Sequence, residues 1–479
     1  MRLRAAIWSA CIYLKFYRAP AEASCFLLRV SPRARHFPDF NTFENRSLEI
    51  AETLFSMDFL CSMYEIANPA NCEIIIAQSR TDTQLSEGEV GGGNGMRSQL
   101  IRLLRPITNN RPRLKQQFVQ LDSTVVRWQH SLAASLPSLI RPQPRLLTVA
   151  ITARCNLRCL GCRYERDFML GQQLPIGIVL DLLDDAREAG FEKVRLYGGE
   201  PLLHRDLARM VDRASKLGLN PYITTNGLLL GDKIEELYNS GLRSLTIGYY
   251  GRNKGYDAYV QRAGSFDRLE RSIAAVRDRY GMGVAMQMNF LLSKPSARLE
   301  ELQAAWAFAL RYNLRFQVDL VHYSLPYFSE GVDRELQFSP CDRPLLESIT
   351  SALADMKRSR PDLYPESIQS IYSIADWAIK GEEMQVPCTA YRLVWVGADG
   401  TVQLCYVTFK LGNLHKQRLR ELLFTVDHYR ACRKAFELNC PHCHCERDDR
   451  IRADSVSYRL YTQLVNQDRR SQPGRRPEL

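Results

Sequence analysis

Nowhere in the 479 residues is there an uninterrupted run of 18 apolar residues, so the sequence offers no membrane span. An export signal is also lacking. Residues 6–14 are apolar behind Arg2 and Arg4, but Lys15 and Arg18 interrupt them and no small-residue cleavage pattern follows. Acidic residues are scarce in one place: between Met96 and Arg145 there are nine Lys/Arg and one acid, Asp122. The net charge of +11 is therefore concentrated in one segment and does not describe a basic face spread over the whole fold. No OB, RRM or KH signature accompanies that segment and aromatic interleaving is thin, which argues against nucleic acid as the partner. Cysteine is absent from long stretches and crowded elsewhere. Of 14, four lie before residue 73, three between Cys155 and Cys162, and seven from Cys341 to Cys445. Such grouping in a long chain does not suit a disulfide scaffold and points to a reducing cytoplasm.

The remaining composition, 45% hydrophobic and 24% charged, is that of a globular chain with material for a large core. Residues 1–95 specify structure poorly and end in a glycine-rich stretch (86–95) of linker composition, reading as a loosely folded extension. Residues 96–145 read as basic helices whose Leu103, Leu114, Phe118, Leu121 and Trp128 share apolar faces. A helix pair packed on the catalytic domain is the plain reading, with membrane-surface or substrate contact as its alternative. From residue 146 a βα rhythm sets in: strands are expected at 146–153, 193–197, 222–225, 245–249, 284–290 and 316–321. Helices are expected between them at 175–189, 207–217, 234–240, 266–280 and 300–312. The fold class is α/β, and six such units over 146–340 fit a partial (β/α)6, TIM-like barrel with its site at the carboxyl ends of the strands. Residues 341–446 read as linker helices, a β-hairpin around residues 397–400, a helix around 420–436 and a cysteine-rich end, and residues 447–479 as a loose polar tail.

The motif that carries chemistry is Cys155-Asn-Leu-Arg-Cys159-Leu-Gly-Cys162, directly after the first strand. Three thiolates in one loop can converge on an inorganic cluster, and soft sulfur donors suit iron. Three ligands for a four-iron cube leave one iron open to a substrate or cofactor. A zinc site would need a fourth ligand near by, and none is evident. At the end of the second strand stands Gly198-Gly199-Glu200-Pro201, where glycines permit close backbone approach and a carboxylate can receive an ammonium group.

This arrangement resembles the radical S-adenosylmethionine (SAM) superfamily. The resemblance implies that Cys155, Cys159 and Cys162 hold a SAM-binding [4Fe–4S] cluster. Gly198, Gly199 and Glu200 would then contact the methionyl group, and Thr225 and Asn226, after the third strand, would lie near the ribose. Electron transfer would cleave SAM to a 5′-deoxyadenosyl radical that abstracts hydrogen from an unactivated C–H bond. A flavodoxin- or ferredoxin-like reductase would supply the electron. The chain departs from the family pattern at Gly161, where an aromatic residue is common; Tyr164 is the candidate to replace that contact. It departs again at Gly248-Tyr249-Tyr250-Gly251 after the fourth strand, which bears on the substrate side of the pocket. Arg262 is expected either to pair locally or to face the site.

A second cysteine group follows. Eleven residues separate Cys388 from Gly400, four more precede Cys405, and Cys440-Pro-His-Cys443 comes later. A hairpin brings the first two thiols together, and four converging thiolates suit either a second [4Fe–4S] cluster or zinc. The spacing resembles the SPASM/twitch-like auxiliary-cluster domain of one radical SAM subgroup. That resemblance implies a single auxiliary [4Fe–4S] cluster on Cys388, Cys405, Cys440 and Cys443, able to accept an electron from a substrate radical. Cys445, His442 and His444 read as surface residues near a turn, the other option being alternative ligands of the cluster or side chains packed beside its ligands. The expected substrate is a small polar or sugar-like metabolite. The alternatives are a peptide side chain, or epimerisation with Cys341 as hydrogen donor and Tyr323 among the residues at the pocket.

Overall fold

In the computed structural model, residues 130–322 and 335–471 are described, apart from 134, 165, 167, 407, 441, 442, 454 and 456. The expectations for residues 1–95, for most of 96–145 and for Tyr323 lie outside the described residues.

Six βα units build the first part. Strand β1 (Leu146–Thr152) leads through the cysteine loop to helix α1 (Ile176–Ala189), then β2 (Lys193–Gly198), α2 (Leu207–Lys216), β3 (Asn220–Thr225) and α3 (Leu230–Asn239). Next come β4 (Ser244–Tyr249), α4 (Asn253–Val260), α5 (Ser265–Tyr280), β5 (Ala285–Leu292), α6 (Leu299–Arg311) and β6 (Arg315–Leu320). Two helices follow, α7 (Arg343–Ser359) and α8 (Ile368–Lys380). After them come strands β7 (Leu393–Val396), β8 (Thr401–Gln403) and β9 (Lys410–Asn413) and helices α9 (Leu419–Leu422), α10 (Val426–Phe436), α11 (Arg447–Ile451) and α12 (Tyr458–Ser471).

The nine strands form one sheet in the order β6-β5-β4-β3-β2-β1-β7-β8-β9. All neighbours from β6 to β7 are parallel, and β7-β8-β9 is antiparallel. This is a mixed α/β fold like a partial radical SAM barrel with a small cysteine-rich addition, the class the sequence leads one to expect. Alternation along the strands sets the layers. Val194, Leu196, Ile223, Leu245, Ile247, Met288, Phe290, Phe316 and Val318 are buried in one core with Leu183, Met210, Val211, Ile273 and Ala305 of the helices. Residues of the other parity, among them Arg195, Thr224, Gln287, Asn289, Gln317 and Asp319, face away from the helices and keep some exposure.

Four features differ from the sequence expectation. The hairpin is continuous with the barrel sheet, because β7 pairs in parallel with β1 from Leu146↔Leu393 to Val149↔Val396. Helix α4 was not foreseen; its eight residues, Asn253–Val260, are few and include Gly255, a poor helix former. The expected helix over 420–436 breaks at Phe424, whose φ is 59°, and Thr425 caps α10 by accepting from the His428 amide. The tail after Cys445 is helical rather than loose, because Arg447 and Arg450 are buried and anchor α11.

Candidate active site

The cysteine loop leaves the carboxyl end of β1 and is held on two sides. On one side the amides of Arg158 and Leu160 donate to the carbonyls of Val260 (3.3 Å) and Tyr259 (2.8 Å), so the end of α4 supports the loop. Arg262 takes the site-facing option: its Nη1 donates to the Asn156 carbonyl at 3.2 Å. Within the loop the Leu157 amide donates to Cys155 Sγ at 3.5 Å and the Cys162 amide to the Cys159 carbonyl at 3.2 Å.

On the other side lies Gly198-Gly199-Glu200. The Gly199 amide donates to the Thr152 carbonyl (2.8 Å) and the Glu200 amide to the Arg154 carbonyl (2.8 Å). A Cβ on Gly199 would stand 2.2 Å from the Ala153 carbonyl oxygen, so this close approach of β2 to the cysteine loop requires glycine. Glu200 is fully buried. Its carboxylate accepts from the Leu202 amide (3.0 Å), Thr225 Oγ1 (2.7 Å) and the Asn226 amide (2.8 Å). Asn226 in turn donates through Nδ2 to Asn156 Oδ1 at 2.8 Å, inside the cysteine loop. Glu200, Thr225, Asn226 and Asn156 are thus one network joining the ends of β1, β2 and β3. Glu200 acts here as a brace for the other two rather than as an open carboxylate.

Burial pushes the Cys155 thiol up to about 12 and the Cys159 thiol well above its ordinary value. Protonated thiols this enclosed become thiolates when a metal supplies the compensating charge, which is the behaviour of cluster ligands. Tyr250 completes the site. It stacks on Tyr259 (4.6 Å, 20°), and burial followed by Cys159 raises its phenol well above the usual range. Its hydroxyl lies where a Cβ on Gly248 would come within 2.3 Å, on the inner parity of β4. The Gly-Tyr-Tyr-Gly departure therefore places an aromatic ring near Cys159, on the inner parity of β4. The two glycines around it were the sequence signal.

Tyr164 sits in a buried cluster against which Cys162 of the cysteine loop packs. It is buried with Ala150, Tyr197, Trp395 and Ala398 and meets Phe168 edge-on at 5.3 Å, a core position on the β7 side of the sheet. Cys341 is exposed in the turn before α7, next to Asp342, which pairs with Lys294 beyond β5 (3.4 Å). None of the described contacts joins it to the other site residues.

The inner face of the sheet is polar. Arg195 Nε donates to Thr224 Oγ1 (2.8 Å) and its Nη1 to the Tyr406 hydroxyl (2.9 Å), while the guanidinium lies over the Tyr197 ring at 4.7 Å. Across the sheet, Asn289 Nδ2 donates to Asp319 Oδ2 (2.6 Å), and Gln287 Nε2 donates to both Asn289 (2.9 Å) and Gln317 (2.7 Å). Burial raises the Asp319 carboxyl, with Arg447 and Arg195 opposing the shift. Beyond β6, burial lowers His322 to about 4; its ring lies 4.1 Å from that of His444.

Tyr406 links this interior to the second cysteine group, because it follows Cys405 directly. Cys388, Cys405, Cys440, Cys443 and Cys445 line one cavity of about 540 Å³, open mouth included, with Tyr406, Glu446 and Arg450. Among the described residues, no three of His, Cys, Asp or Glu are disposed to hold a single metal ion. The five converging thiols are a soft donor set that fits an iron–sulfur cluster. Cys445 and His444 are correspondingly enclosed rather than superficial: His444 is buried, and Cys445 lines the cavity. The position of Cys445, two residues after the Cys-x-x-Cys pair, was the available signal.

Comparison with known proteins agrees with this geometry. Residues 149–292 match the family model described as the radical SAM superfamily, and residues 388–446 match an iron–sulfur cluster-binding (SPASM) domain. A GTP 3′,8-cyclase of Marinobacter nauticus is 27% identical over 291 residues, 57% of this chain and 81% of that protein. A GTP 3′,8-cyclase of Aquifex aeolicus is 36% identical over 124 residues, 25% of this chain and only 38% of that protein. Against the latter and several other curated relatives, the chain spans less than half of the relative's length. Among solved structures, Streptococcus suis SuiB bound to S-adenosylmethionine superposes with a TM-score of 0.47 at 17% identity, over 75% of this chain and 87% of that one. No helix among the described residues is long and apolar enough to cross a membrane. With the cysteine loop braced against Gly-Gly-Glu at one end of the sheet and a cysteine-lined cavity beside it, the chain belongs to the radical SAM superfamily and carries a carboxyl-terminal auxiliary iron–sulfur domain.

Proposed function

We propose that this radical SAM enzyme modifies a side chain of a peptide, with Cys155, Cys159 and Cys162 holding the SAM-binding [4Fe–4S] cluster and the carboxyl-terminal cavity holding one auxiliary [4Fe–4S] cluster. When bound, these groups and SAM supply reductive cleavage, hydrogen abstraction and an acceptor for the substrate's electron. The chain's own residues do the positioning. Gly199 allows the backbone of β2 to approach the cysteine loop, and Glu200 orients Asn226 and Thr225 on the SAM side. Tyr250 places its ring near Cys159, and Arg195 with Tyr406 marks the path from the barrel interior to the auxiliary cavity.

The observation that carries the peptide reading is the strand order. The sheet is linear, with β6 and β9 as its two ends, rather than a closed ring. A closed eight-stranded barrel fills its interior with side chains, whereas an open arc of strands leaves its edge free to admit a side chain still attached to its polypeptide. A flavodoxin- or ferredoxin-like protein is the proposed electron donor.

A second reading, a small polar or sugar-like metabolite, is favoured by the hydrogen-bonding inner face of Arg195, Thr224, Gln287, Asn289 and Asp319. The GTP cyclase names of the curated relatives point the same way. An isotope experiment separates the two. Reconstituted anaerobic enzyme is given a deuterated pool of mixed-sequence peptides or, separately, deuterated GTP and sugars, and 5′-deoxyadenosine is analysed for deuterium. The peptide reading expects label from the peptide pool. Label from a free metabolite and none from peptides would overturn it. Cys159→Ala should abolish SAM cleavage in both arms. If Cys341 were a hydrogen donor for epimerisation, Cys341→Ala would keep SAM cleavage but lose the reduced product, and normal product would remove it from the mechanism.

A further inference from the structure

The auxiliary cavity has one thiol more than a cluster needs. A [4Fe–4S] cube takes four thiolates, and five cysteines line this cavity. Cys388 and Cys405 flank the β7–β8 hairpin, so strand pairing fixes both from one side. The other three lie within the six residues 440–445, and their backbone supports differ.

Arg450 is 1% exposed and holds that group together. Its Nη1 donates to the carbonyls of Cys443 (2.9 Å) and Cys445 (3.3 Å), while its Nη2 donates to the carbonyl of Val386, two residues before Cys388. The guanidinium lies over the Trp377 ring at 4.7 Å, so it cannot swing into water without losing that face. One buried cation therefore pins Cys443, Cys445 and the approach to Cys388 in a single arrangement. The position of Cys445 is specified by the same group as that of Cys443. Cys440 is set from the opposite direction, by the end of α10, where the Asn439 amide donates to the Lys434 carbonyl at 2.9 Å.

We infer that Cys445 is an auxiliary-cluster ligand interchangeable with Cys440, so that the cavity holds its cluster through Cys388, Cys405, Cys443 and either of two thiols. Exchange breaks one iron–sulfur bond and forms another. The incoming thiol releases a proton and the outgoing thiolate takes one up, so neither the charge nor the electron count of the site changes. The inference rests on the reading that this cavity holds one cluster.

The test is iron and sulfide analysis, with electron paramagnetic resonance after reduction, on the full chain reconstituted anaerobically. Wild type should carry about eight irons from two four-iron clusters. A wild type with about four would sink the auxiliary-cluster reading itself, separately from the exchange. Cys440→Ala and Cys445→Ala should each keep about eight irons, with the auxiliary resonance altered in at least one. The double variant, and Cys443→Ala alone, should fall to about four. Loss of the second cluster in either single variant overturns the interchange, as does its retention in the double. Cys432→Ala, at a buried cysteine outside the cavity lining, serves as control and should keep about eight. Circular-dichroism melting of every variant reports whether iron was lost through unfolding; the interchange stands only if the folded double variant lacks the cluster that both folded single variants hold.

Discussion

At the scale of single residues, the site depends on groups that satisfy the chain before they meet any ligand. Glu200 is the main case. The sequence reads it as an open carboxylate for an ammonium group, yet its oxygens accept from Leu202, Thr225 and Asn226. Glu200→Gln keeps the shape but turns one acceptor into a donor facing a buried N–H or O–H. That should cost about 1–3 kcal/mol in urea unfolding, the usual price of an unsatisfied buried donor. The pH dependence has a definite sign. Burial raises the native carboxyl to about 7, so between the unfolded value of 4.5 and about 7 the native state holds the proton more tightly than the unfolded chain. This group's contribution to stability is full below 4.5 and falls as pH rises through that window. The advantage of wild type over Glu200→Gln should therefore narrow from pH 5 to pH 7.5. A gap that widened would mean that the carboxylate is stabilised as an anion.

At the scale of elements, the sequence is most legible where patterning and punctuation agree. The six strands of the barrel and the helix closed by Gly190, with φ of 90°, follow directly from apolar periodicity and a left-handed glycine stop. The three-cysteine loop and Gly-Gly-Glu were legible because they sit at adjacent strand ends. What escaped was determined by tertiary partners. Nothing local in residues 393–396 says that the strand will pair with β1, since that ladder joins segments far apart in the chain. Nor does the polar stretch after Cys445 look structural, because what orders α11 is a buried pair with a distant helix. Arg447 pairs with Glu366, just before the Ser367 cap of α8, and donates to the Val318 carbonyl of β6, while Asp448 accepts from the Ser367 amide at 2.9 Å. Removing one member of a buried pair leaves the other charge uncompensated, at about 3–5 kcal/mol. Arg447→Met should lower the urea unfolding free energy by that amount. Arg459→Met, at an exposed position of α12, should change it by less than about 0.5 kcal/mol. Equal effects would return the segment to the status of a tail.

At the scale of the whole molecule, buried titratable groups make folding depend on pH in two opposing directions. Burial lowers His130, His322 and His428 to about 4, and lowers His204 and His444 as well. Burial also raises Glu200 and Glu446 to about 7, and raises Asp319. Between about pH 4.5 and 6.5 the unfolded chain binds protons at histidines that the native state keeps neutral. Over the same range the native state keeps protons on carboxyls that the unfolded chain has released. The histidines are the larger set, so stability should rise with pH through this window and be lost as pH falls from 6.5 toward 4. His130 isolates one member of the balance. It joins three separate parts of the chain, through the Tyr391 hydroxyl (3.2 Å) and Ser457 Oγ (3.0 Å), and its depressed value comes first from burial, then from Arg392 and Arg450. Glutamine can keep both hydrogen bonds but cannot titrate. His130→Gln should therefore flatten the pH slope of unfolding free energy between pH 5 and 6 by about 1.4 kcal/mol per unit, one proton's worth. Wild type and variant are measured side by side in urea as reconstituted proteins, so that acid loss of iron–sulfur clusters enters both slopes alike. Parallel slopes would show that His130 is protonated in the native state, and would remove the neutral-histidine account of acid sensitivity at this junction.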